Sequence, residues 1–173
     1  MIATESPVAP SPHALSNDDE PPEVVRFYNV SGDYGSFSNF APYPIRIKGK
    51  DWPTSEHYFQ AQKFLDRHDQ EIVRNIYCPV VAARTARDPK KHLRDDWDAV
   101  KDSIMREAVR AKFTQHEYLR EVLLSTGDAE IVEHTNKDTY WADGGDGTGM
   151  NMLGKILMEM REELKQVKPG EEE

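Results

Sequence analysis

Four of the ten glycines in this chain, Gly144, Gly145, Gly147 and Gly149, fall within a six-residue window. Glycine permits positive φ and lets backbone come close to a ligand. Asn151, just beyond them, is placed to cap a following helix whose free first-turn amides would bind an anion. The segment from Thr139 to Leu157 therefore reads as a phosphate cradle or as a flexible turn closed by Asn151. It is not a P-loop, because no Gly-Lys-Ser/Thr follows the glycines. Its spacing also differs from the dinucleotide G-x-G-x-x-G fingerprint. Asp138, Asp143 and Asp146 raise calcium, but no glutamate stands at the EF-hand spacing.

A second group lies upstream. Glu56 opens a helix, where its charge gains from the macrodipole, and Lys63 follows seven residues later on the same side, bracketing Gln60. A polar stripe beside an apolar one suits a pocket wall, and equally an ordinary amphipathic helix. Lys101 and Lys112 share a stripe with Trp97, Ile104, Met105 and Ala108, so each either snorkels to solvent or points at an anion. Trp97 and Trp141 offer π faces to a base, or pack in the core. Cys78 beside Pro79 reads as a buried packing residue. The six histidines lack metal-ligand spacing and no G-x-S-x-G elbow is present. A carboxylate-based hydrolase or a ligand-binding domain remains.

The elements that must position these groups are mainly helical. Short extended patterns cover 25–30 and 43–48, and GKDW (49–52) turns into a further short extended piece. Thr54 or Ser55 caps the first helix, with Tyr58, Ala61, Gln62 and Leu65 on one stripe and Glu56, Phe59, Gln60 and Lys63 on its neighbour. Asp69 is expected to cap a short helix through Tyr77, and Pro79 to begin another over 79–87. A long helix follows from about Asp98 to Thr114 and a shorter one from Glu117 to Ser125, ended by Gly127. A short strand is expected at 129–134, then a last helix over 151–166 in which Gly154 permits close packing. The fold class expected is α+β, mainly helical, in one domain.

Composition sets the limits. A chain of 173 residues suits one domain with a substantial core. Residues 1–24 hold five prolines and no aromatic, which predicts a disordered leader. Residues 169–173 form an acidic tail, leaving 25–168 as the folded domain. The net charge of −9 falls to −1 once the eight acids of leader and tail are set aside. A nearly neutral body argues against a duplex-binding surface and allows a small anionic ligand. One cysteine excludes an internal disulfide. No apolar run approaches the roughly 18–20 residues of a membrane span, and no signal peptide opens the chain. A cytoplasmic protein that makes no membrane contact is expected.

The segments SNFAPYPI (38–45), WPTSEHYFQAQKF (52–64), WDAVKDSIMREAVRAKF (97–113), TGDAEIVEHT (126–135) and YWADGGDGTGMNMLGKILMEMR (140–161) occur in an order that resembles the YbiA-like, or NADAR, family. The resemblance covers nearly all of 26–164. It implies a multihelical single domain with a few short strands, and an N-glycosidase acting on ribosylamino-pyrimidine phosphates of riboflavin biosynthesis. Other members bind ADP-ribose or NAD-derived ligands, and some remove ADP-ribose from guanine bases of nucleic acid. Nucleic acid is then a partner only if ADP-ribosylated guanine is the substrate. Neither metal nor cofactor is implied.

Among the pocket residues that the resemblance implies, Glu56 and Asp146 are the expected catalytic pair: Glu56 as the base that activates water, and Asp146, or alternatively Asp143, to orient the ribose or the water. The implied substrate-binding residues are Asn39, Phe40, Lys63, Trp97, Lys101, Trp141, Asp143 and Asn151. Two positions depart from the family pattern. Ala142 stands where glycine is usual, which bears on the loop's backbone. Met150 stands where lysine is common, which bears on a phosphate contact and so on substrate preference.

Overall fold

A computed structural model describes residues 23–166. The expected acidic tail lies outside these residues, as does the expected leader except for Glu23 and Val24. Val24 belongs to the first strand, so β1 begins one residue inside the expected leader. The order is β1 (Val24–Phe27), β2 (Ile45–Ile47), β3 (Lys50–Trp52), α1 (Ser55–Ala61), α2 (Arg67–Arg74), α3 (Pro79–Ala86), α4 (Trp97–Gln115), α5 (Glu117–Ser125), β4 (Glu130–Glu133) and α6 (Met152–Gln166). This is an α+β arrangement, mainly helical, with two two-stranded sheets.

β1 and β4 pair in parallel, Val24 opposite Glu130 and Phe27 opposite Glu133. All the other strands and all helices but α6 lie between them in sequence. β2 and β3 form an antiparallel hairpin with Ile45 opposite Trp52. The core joins Val25, Phe27 and Ile131 of the parallel pair to Tyr58 and Phe59 of α1, Ala108 and Phe113 of α4, and Ile156 and Leu157 of α6. No helix among the described residues is long and apolar enough to cross a membrane.

Local chemistry explains most boundaries. Thr54 caps α1 by accepting from the His57 amide at 3.3 Å. Every residue of α1 is buried, so it is a core helix rather than an amphipathic one. It stops at Ala61, and Leu65, expected on its apolar stripe, is 71% exposed. α2 is capped by Asp66, which accepts from the amides of His68 and Asp69. The expected cap, Asp69, stands inside the first turn and pairs with Lys91 instead. Pro79 opens α3 as expected. Cys78 precedes it, half-buried rather than buried.

Candidate active site

The N-terminal turn of α1 is fixed by the SNF turn. The Asn39 carbonyl accepts from the Glu56 amide at 3.1 Å, and Asn39 Oδ1 accepts from Ser55 Oγ at 3.0 Å. Asn39 Nδ2 meets Met105 Sδ at 3.1 Å. The structure therefore places Asn39 behind Glu56, engaged within the protein. Lys112 supports the same turn from α4. It is 1% exposed and donates to the Ser38 carbonyl at 2.8 Å, so it neither snorkels nor awaits a ligand. Burial pulls its pKa down to about 7. Phe40 is half-buried on this turn, its amide donating to Ser38 Oγ.

Glu56 is 4% exposed and accepts from Gln60 Nε2 at 2.7 Å. Burial raises its pKa, opposed by the Gln60 bond and by the charges of Arg87 and Lys63. Lys63 lies in the same field, its pKa lowered by burial and by Arg87 and raised by Glu56. Its Nζ stands 5.6 Å from the Trp97 ring centre and 6.0 Å from that of Phe59. Phe59 holds both tryptophans, with Trp97 at 5.1 Å and Trp141 edge-on at 5.3 Å. A buried carboxylate and a three-ring aromatic wall thus lie along α1, with Lys63 just past its end and both groups in the field of Arg87. Residues 26–165 match the NADAR domain family. The chain belongs to this family.

Relatives within the NADAR family cover most of the chain. The N-glycosidase YbiA of Escherichia coli is 57% identical over 141 residues, 82% of this chain and 88% of that protein. An N-glycosidase of Nostoc punctiforme is 47% identical over 145 residues, covering 82% and 93% respectively. A riboflavin biosynthesis protein of Vibrio vulnificus is 45% identical over 85% of this chain, which spans 40% of that protein. The NMR structure of Escherichia coli YbiA superposes with a TM-score of 0.78 at 53% identity, covering 86% of this chain and 91% of that one.

The glycine-rich segment of this NADAR domain differs from the expected cradle. The amides of Met152 and Leu153 donate to the carbonyls of Tyr140 and Trp141 at 3.0 and 3.1 Å, so these first-turn donors of α6 are taken. Gly144 donates to the Asp138 carbonyl, Gly149 to that of Asp143 and Met150 to that of Thr139. The loop spends its donors on itself. Gly145 shows why glycine is needed. Its φ is +82°, and a Cβ there would lie 3.0 Å from the Asn136 amide nitrogen.

Asp143 is part of this knot. It is 6% exposed and accepts from Thr135 N, Gly145 N and His134 Nδ1. Asp146 is exposed at the loop tip, its Oδ1 taken by Thr148, which holds its pKa low. Ala142 has no positive φ and is fully buried, so its methyl group fits without a glycine-only backbone. Met150 is 50% exposed.

Asn151 does not cap α6 with its side chain. At φ +50°, it lays its amide along β4, with Nδ2 donating to the Ile131 carbonyl at 2.9 Å and Oδ1 accepting from the Glu133 amide at 3.0 Å. Gly154 permits this approach, since a Cβ there would sit 2.1 Å from the Ile131 carbonyl oxygen. Lys101 lies on the outer end of the aromatic row. Its Nζ is 4.1 Å from the Tyr140 ring centre and 2.9 Å from Asp98, and Tyr140 stacks edge-on against Trp141.

Two residues of the site escaped sequence reasoning. Glu133 ends β4, and burial, together with the charges of Asp138, Glu56 and Asp143, raises its pKa to about 8. The available signal was a glutamate closing a strand whose neighbours Ile131 and Val132 are both apolar. Arg87 follows α3 and carried no motif. Among the described residues, no three His, Cys, Asp or Glu side chains gather as a metal-holding group.

Proposed function

We propose that the domain over 25–168 hydrolyses the base–ribose bond of phosphorylated ribosylamino-pyrimidine intermediates of riboflavin biosynthesis, in the cytosol. The chain is an N-glycosidase; its relatives of that name and the riboflavin biosynthesis protein of Vibrio vulnificus support the substrate. The observation that carries the mechanism is Glu56, a buried carboxylate beside two cations and an aromatic wall. Glu56 accepts a proton from water as the water oxygen attacks the ribose carbon. Its charge also stabilises the positive charge that develops on the sugar. Glu133, protonated at neutral pH, gives a proton to the departing nitrogen. Trp97 and Trp141 stack on the base, while Lys63 and Arg87 face the phosphate, with Lys101 at the rim.

A three-substrate panel tests this: a ribosylamino-pyrimidine phosphate, an ADP-ribosylated guanine oligonucleotide, and ADP-ribose scored for binding alone. Release of the aminopyrimidine from the first is expected. Turnover of the oligonucleotide alone, or binding without turnover, would overturn the substrate assignment. Glu56→Gln should lower kcat by about 10²–10⁴-fold.

A further inference from the structure

Gln60 lies one helical turn after Glu56 and is 2% exposed. Its Nε2 holds Glu56 Oε1 at 2.7 Å, while its own Oε1 has no hydrogen-bond partner among the described residues. A buried carbonyl left unpaired is costly, so such an atom beside a buried carboxylate calls for a donor. The amide's orientation is set by charge. Turned over, it would place its oxygen against the lone pairs of an ionised Glu56. The neighbouring cation does not fill the gap, since Lys63 Nζ is directed over the rings of Phe59 and Trp97.

The attacking water carries two protons. Glu56 removes one, and the other stays on the new sugar hydroxyl. That second O–H needs an acceptor if the water's lone pair is to face the ribose carbon. Resting on the assignment of Glu56 as base, we propose that Gln60 positions the nucleophilic water, its Oε1 accepting the retained O–H while its Nε2 holds Glu56. In the step, the water oxygen bonds to the ribose carbon and the carbon–nitrogen bond breaks with its electron pair going to nitrogen. Glu56 gains one proton and the leaving nitrogen takes the proton of Glu133.

The full chain carrying Gln60→Met or Gln60→Glu is assayed on the ribosylamino-pyrimidine phosphate, with thermal melts recorded alongside. Gln60→Met should lower kcat about 10²-fold, leave KM within about threefold, and move the acid limb of kcat upward, because Glu56 loses its donor. Gln60→Glu keeps an acceptor and loses the donor. It should recover about tenfold of that loss at high pH, with the acid limb displaced further. A Gln60→Met enzyme with kcat within about threefold of wild type overturns the proposal, as does an equal loss in both variants with an unmoved acid limb. Should Gln60→Met fail to fold, the acid limb of Gln60→Glu decides alone. Wild-type turnover by Glu56→Gln would remove the base assignment itself, whereas an inactive Glu56→Gln beside a normal Gln60→Met removes only the role of Gln60.

Discussion

In the proposed mechanism, Glu56 and Glu133 divide the labour of acid and base through their surroundings. Burial raises the pKa of both, but Glu56 also has a hydrogen-bond donor and two cations that act against the rise, while Glu133 meets three carboxylates that add to it. The pH consequence for Glu133 has a definite sign. Its pKa moves from 4.5 unfolded to about 8 folded, so folding takes up a proton between those values. That contribution to stability is complete below 4.5 and is lost as pH rises through about 8. Glu133→Gln, neutral at every pH, should therefore gain thermal stability relative to wild type as pH rises from 5 to 9. It should also lower kcat and lose the basic limb near pH 8. Parallel melts would show that Glu133 is not coupled to folding, and an unchanged basic limb that it is not the proton donor.

At the scale of the element, Asn151 stands in for a missing strand. Its side-chain amide gives β4 one donor and one acceptor, as a neighbouring peptide group would. Asn151→Ala would leave the Ile131 carbonyl and the Glu133 amide unpaired, and should destabilise the fold by about 2–4 kcal/mol in denaturant titrations. A change inside half a kilocalorie would mean that water replaces the amide without cost. The helices and short strands were largely legible in the sequence, because caps at Thr54, Pro79 and Gly127 and the apolar stripe of α4 are local signals. Of the candidate site residues named from the sequence, Lys63, Trp97 and Trp141 lie against Phe59, one turn from Glu56. The role of Asn151 was not legible, since an asparagine before a helix reads as a cap and nothing local reveals a strand twenty residues upstream. The glycine cluster left two readings open for a related reason. Glycines that admit a phosphate and glycines that let a loop bond to itself look alike until the amides have partners.

For the whole molecule, the parallel pairing of β1 with β4 has a kinetic consequence. Val24 meets Glu130 only after the chain between them has closed a very long loop, and closure entropy must be met before the strands are rewarded. The α1–α4 and α4–α6 packing needs no such closure through the N-terminus. Refolding from denaturant should thus restore helicity before β1 docks, and the amides of Glu130 and His134, which donate to Glu23 and Phe27, should gain exchange protection after those of α4. Simultaneous protection would count against this order. Since Glu133 is opposite Phe27 in that pair, turnover should return with the slow phase and lag behind circular dichroism. During refolding or synthesis, the chain should pass through a state with its helices formed and its proposed proton donor not yet in place.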